Sequence, residues 1–118
     1  MGHWHEVAAG LSEPTRSLRQ AIPETWAGFA QLHREAMKEG ALSAALKEVI
    51  ALAIAAQAEC DGCISYHARG AARKGATPEQ VAEALGVVVL MTGGPGTTWA
   101  PRAWEAFQEY RAELPAQG

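Results

Sequence analysis

Apolar residues recur along this chain at steps of three and four, and that spacing predicts helices from end to end. Residues 1–11 lack the repeat and read as a mobile arm, with His3, Trp4 and His5 side by side. Ser12, Glu13 and Pro14 look like a helix start, and that helix should stop before Pro23. A second helix is expected from about Glu24 to Lys38, with Trp26, Phe29, Ala30, His33 and Met37 as one apolar stripe and Gly40 ending it. Ser43 suits the N-cap of a third helix, which becomes almost wholly apolar after Glu48 in "VIALAIAAQA". A fourth helix begins near Asp61 and closes at Lys74–Gly75. "TPEQ", Thr77 to Gln80, is a capping box that opens a fifth. There "GVVVLM" has strand-like residues, but Val81, Leu85, Val88 and Met91 keep helical spacing. "GGPG", Gly93 to Gly96, is a break. A last helix runs through Trp99, Ala103, Phe107 and Tyr110, with Pro101 as a late start or a kink.

The expectation is therefore an all-α bundle of about six helices in one domain of 118 residues, with 1–11 set apart as the arm. The third and fifth helices are apolar on every side, more than one small bundle can cover, which implies an obligate oligomer. Net charge is -3, from 13 acidic and 10 basic residues. There is no basic tract to follow a phosphate backbone, which argues against nucleic acid. No segment reads as a signal peptide or a membrane span, so the expectation is a cytoplasmic protein with no membrane partner.

The candidate chemistry lies in "ECDGCISYHARG", Glu59 to Gly70, which holds the chain's two cysteines. In a reducing compartment a CxxC pair is more often redox-active or metal-binding than structural. Cys60 and Cys63 fall at the start of the fourth helix, where the positive end of the helix dipole favours a thiolate. His67 is one turn beyond Cys63 on the same face and can take the thiol proton. A second cysteine three residues away can capture a sulfenic acid as a disulfide, and Gly62 gives the backbone room to close. A thiol peroxidase or a disulfide reductase needs this set. Two other readings stand beside it: a buried pair of small apolar residues, and a zinc site in which Glu48 or His33 joins Cys60, Cys63 and His67. Glu48 suits the first turns of a helix, but once buried it could accept a proton. His33, on the apolar stripe, reads as a hydrogen-bonded core histidine.

Leu42 to Gly96 resembles the carboxymuconolactone decarboxylase family, and within it the alkylhydroperoxidase AhpD-like branch. The motif is a glutamate, then CxxC, then a histidine four residues after the second cysteine, and Glu48, Cys60, Cys63 and His67 fill it. The family's decarboxylases typically lack the cysteine pair. The resemblance implies an AhpD-like helical bundle, assembled as a homotrimer or homohexamer. It implies a peroxiredoxin-type oxidoreductase in which Cys63 is the peroxidatic cysteine and Cys60 the resolving one. His67 and Glu48 would be the proton relay. The substrate would be a small hydroperoxide, and the electron donor an external dithiol or a lipoylated protein. No cofactor and no metal are expected. One alternative keeps the fold but makes His67 and Glu48 the acid and base of a decarboxylase-like lyase. Another is a non-enzymatic metal-binding or redox-sensing oligomer.

Overall fold

The computed structural model describes residues 2–115. It contains six helices: α1 (His3–Ala21), α2 (Pro23–Met37), α3 (Ala44–Gln57), α4 (Asp61–Arg73), α5 (Pro78–Thr92) and α6 (Gly94–Ala112). Among the described residues there is no strand, so the "GVVVLM" segment is helical as its spacing predicts. Helices α3 to α6 pack on one another, and α1 lies across α4. Alanines form much of the contact surface: Ala55 and Ala56 of α3, Ala68 and Ala71 of α4, Ala103 and Ala106 of α6 are all buried. Small side chains let helix axes approach closely. Trp4, Phe107, Leu52 and Ile64 fill the remaining volume.

The expected caps are present. The Ser43 hydroxyl accepts the Leu46 amide at 3.1 Å, and Thr77 and Gln80 close a reciprocal capping box. Gly93 separates α5 from α6 with φ 65° and ψ -131°, a conformation that glycine adopts without strain. The break is thus one residue long. Pro95 belongs to the first turn of α6, and Pro101 lies well inside that helix rather than at a late start. The turn before the cysteines is more unusual. Amides of Glu59 and Cys60 bond back to Ala56 and Ala55, the pattern of a helix-ending Schellman motif. The left-handed position in that motif, usually glycine, is Glu59 at φ 55°.

The start of the chain departs from expectation. Residues 3–11 are not an arm but the first turns of α1, and Pro14 lies within that helix. The cause is non-local. Trp4 is buried at 2% exposure, with its indole N–H donating to Glu105 of α6 at 2.8 Å. The Glu109 carboxylate, also on α6, accepts the backbone amides of Trp4 and His5 at 3.1 and 2.7 Å. It therefore caps the N-terminus of α1 from another helix, where a local residue would normally do so. A side chain at Gly2 would collide with that carboxylate. Below it, Ser65 and Tyr110 both reach the Trp4 carbonyl, at 2.7 and 3.1 Å, so this buried polar group is satisfied.

Helix α2 buries no residue completely. Trp26, Ala30, His33 and Met37 of its predicted stripe are half-buried, whereas Phe29 is exposed. No helix among the described residues is long and apolar enough to cross a membrane.

Candidate functional site

Helix α4 presents its residues in three strips. Ile64, Ala68 and Ala71 face the core. Tyr66, Arg69 and Arg73 form the outer edge and are exposed. Between the two strips run Cys63, His67 and Gly70, at steps of four and three. Cys60 is the N-cap of α4 and is joined to Cys63 by a disulfide. The amide of Cys63 donates to the Cys60 sulfur at 3.2 Å. Cys63 is exposed and Cys60 half-buried. The reading of the two cysteines as a buried pair of small apolar residues does not describe this site.

Glu48 reaches the same strip from α3. It is buried at 6% exposure, in a helix whose other buried residues are Val49, Leu52, Ala55 and Ala56. A carboxylate among such neighbours needs a polar partner. The partner is His67, whose Nδ1 lies 3.4 Å from Glu48 Oε2. What makes room for the pair is Gly70. Any side chain there would collide with the Glu48 carboxylate, which rests directly against the α4 backbone. Gly70 belongs to the site by what it lacks, and motif spacing gives no sign of it.

His33 enters from α2, with its ring 6.4 Å from that of His67 and 5.7 Å from that of Tyr66. It is not the hydrogen-bonded core histidine the sequence suggests, since its buried Nε2 has no partner among the described residues. The rings of His33, Tyr66 and His67 thus lie together, and His67 among them reaches the Glu48 carboxylate. Among the described residues no three His, Cys, Asp or Glu side chains converge to hold a metal.

Two clefts flank the outer edge of α4. One, of about 280 Å³, is lined by His33, Met37, Glu48, Tyr66 and Arg69, among others, between α2, α3 and α4. The other, of about 370 Å³, lies between α1 and α4 and borders Gly62, the residue between the cysteines. A larger cavity of about 760 Å³ sits at the far end of α4, around Gly75, Thr77 and Arg111. It contains none of the four motif residues.

The arrangement can carry out thiol chemistry. It joins an exposed sulfur, a partner sulfur already bonded to it, a histidine one turn away and a buried carboxylate to orient that histidine. Residues 23–106 match the model of the carboxymuconolactone decarboxylase family. The chain is 41% identical over 96 residues to an uncharacterized protein of Cupriavidus necator, covering 81% of this chain and 85% of that one. It is 37% identical to uncharacterized protein 4 in the cox locus of Paracoccus denitrificans, covering 88% and 90%. Its fold is similar to the crystal structure of an apo carboxymuconolactone decarboxylase family protein from Legionella pneumophila. That similarity has a TM-score of 0.88 at 36% identity, over 92% of this chain and 96% of that one.

Proposed function

The chain belongs to the carboxymuconolactone decarboxylase family, and on that premise we propose that it is a thiol-dependent peroxidase of the alkylhydroperoxidase-like kind. The observation that carries this reading is the Cys60–Cys63 disulfide at the head of α4, one turn from a His67 that is backed by buried Glu48. In the reduced protein, His67 takes the Cys63 proton, directly or through water, while Glu48 holds the imidazole at Nδ1. The Cys63 thiolate attacks the terminal oxygen of a hydroperoxide and the O–O bond breaks. The alcohol leaves with the proton from His67, and Cys63 becomes a sulfenic acid. The Cys60 thiol then attacks that sulfur, its proton passes to the departing hydroxide so that water leaves, and the disulfide seen in the structure results. One dithiol and one hydroperoxide give one disulfide, one alcohol and one water. An external dithiol, free or carried as lipoyl on a protein, returns two electrons and two protons by exchange. The greater exposure of Cys63 supports giving it, rather than Cys60, the role of meeting peroxide.

The test is peroxide consumption with dihydrolipoyl or another dithiol donor, run on the wild type and on Cys63→Ser and Cys60→Ser. Cys63→Ser should lose single-turnover peroxide reduction. Cys60→Ser should keep the first oxidation and stop as the sulfenic acid. Alkylation of the two single-cysteine forms near neutral pH should be faster where Cys63 remains. Faster alkylation of Cys60, which the N-cap amide would favour, reverses the two roles. A chain that ignores peroxide but decarboxylates a lactone with both cysteines replaced would instead be the lyase, with His67 and Glu48 as its acid and base.

Helices α3 and α5 leave Ile50, Ile54, Val87, Leu90 and Met91 exposed. Copies of the same chain, as a homotrimer or homohexamer, are our proposal for what covers them.

A further inference from the structure

The two clefts beside α4 are unusually basic for an acidic chain. Arg16, Arg19 and Arg69 line the α1–α4 cleft, and Arg69, Arg73 and Lys74 line its neighbour. Half of the chain's 10 basic residues therefore face two adjoining hollows. The only acid in either lining is Glu48, which is engaged with His67. Arg16 is paired with Glu13, but Arg19, Arg69, Arg73 and Lys74 form no ion pair among the described residues. Arg73 and Lys74 have an ordinary reason to be where they are, since cations favour the last turn of a helix. Arg69 and Arg19 are less easily explained. Arg69 lies a full turn before the end of α4 and borders both clefts. The α1–α4 cleft also has an apolar side, formed by Ala8 and Leu11. Leu11 Cδ1 comes within 2.7 Å of where a Gly62 side chain would begin, so that side adjoins the disulfide turn. At about 370 Å³ the hollow has the size of a small-molecule site rather than of a flat docking face.

We infer that the α1–α4 cleft is an anion subsite of the thiol centre. Its substrate is an amphipathic small hydroperoxide whose carboxylate or phosphate is held by Arg69 and Arg19, with its apolar body lying along Ala8 and Leu11 towards Gly62. The inference rests on the peroxidase reading and adds the substrate class. Arginine's planar fork matches carboxylate and phosphate oxygens, and a guanidinium left without a protein partner keeps its donors for such a group.

Two experiments on the intact protein test it, and the first needs no peroxidase activity. Reduced protein is alkylated with neutral iodoacetamide in the presence of octanoate, octyl phosphate or octanol. The two anions should protect Cys63 and octanol should not, and Arg69→Gln should weaken the protection about tenfold, the size of one lost charge-assisted hydrogen bond. Whether octanoate or octyl phosphate protects better assigns the head group. The second experiment compares single-turnover oxidation by a fatty-acid hydroperoxide and by its methyl ester. The acid should react about tenfold faster, and Arg69→Gln and Arg19→Gln should each reduce that advantage while leaving the ester rate alone. Equal rates for acid and ester, with no protection by either anion, overturn the subsite even if peroxide is reduced. An advantage that survives in both variants also overturns it, since general attraction would then suffice. If the variants alter only turnover with a protein-borne dithiol, the cations dock an acidic donor and the small-anion subsite is wrong. Failure of every hydroperoxide, with anion protection intact, removes the peroxidase reading but keeps the subsite.

Discussion

Glu48, His67 and Gly70 form a unit in which two residues supply chemistry and the third supplies space. The roles can be separated. Glu48→Gln preserves the shape but removes the charge that orients and supports the imidazole. Single-turnover peroxide reduction should then fall roughly a hundredfold, with circular dichroism unchanged. Gly70→Ala keeps the carboxylate but pushes it off the α4 backbone, so it should lower the same rate while leaving both acid and base in the sequence. Unchanged rates in Glu48→Gln would mean that the carboxylate serves only α3, and unchanged rates in Gly70→Ala would mean that its placement does not matter. Cys60, Cys63 and His67 are legible as candidates because each carries a reactive group at helical or CxxC spacing, whereas Glu48, twelve residues before Cys60, stands out only through the family motif. Gly70 is not legible, because an absent side chain has no chemical signature until the opposing helix is in place. His33 is half legible. Its position on the apolar stripe predicts that it turns inward, but not that its Nε2 lacks a partner.

Among the elements, α1 shows what local signals miss. Ser12, Glu13 and Pro14 mark a start near Ser12, yet the helix begins at His3 because Glu109 caps it from 105 residues away. The other five helices start at local signals, a side-chain cap for α3, α4 and α5 and a first-turn proline for α2 and α6, and so could be placed in advance to within a few residues. The clamp on α1 is also titratable. His5 hydrogen-bonds to Glu109 through Nδ1 and to Glu113 through Nε2. Hydrogen bonding to Glu109 and then to Glu113 raises the His5 pKa above its ordinary 6.5, against a smaller opposing effect of desolvation. For Glu109, burial works to raise the pKa, but hydrogen bonds from the His5 ring and from the His5 and Trp4 amides lower it below 4.5. The raised histidine adds stability that is fully present below 6.5 and is lost as pH rises through its folded value. The lowered glutamate adds stability that is present above 4.5 and is lost as pH falls through its folded value. The clamp should be strongest between those limits. The difference in thermal midpoint between the wild type and His5→Gln should therefore be largest between those limits and shrink as pH rises through the folded value of His5. A constant difference would mean that His5 contributes packing rather than charge.

At the scale of the whole molecule, the apolar pattern overshoots what one copy can bury. Helices α3 and α5 leave Ile50, Ile54, Val87, Leu90 and Met91 exposed in a single copy. Sedimentation at about micromolar concentration should show a trimer or larger, and Leu90→Glu, placed on the exposed side of α5, should shift it towards smaller species. A compact monomer in the wild type would sink the assembly and would leave an apolar surface without an occupant. The composition was informative here because alanine-rich helices need close neighbours, but the identity of the neighbour is not encoded in periodicity.

The socket of Trp4 has a consequence in time. Its parts come from late in the chain: Ser65, then Glu105, Glu109 and Tyr110. During synthesis the first helix leaves the ribosome well before any of them. Domains tend to form as units as they emerge, yet here the opening turn has no partner until the closing helix is complete. Until then the indole and the amides of Trp4 and His5 are left to water or to chaperones. A ribosome stalled before residue 105 would therefore release a nascent chain whose first segment has nowhere to dock.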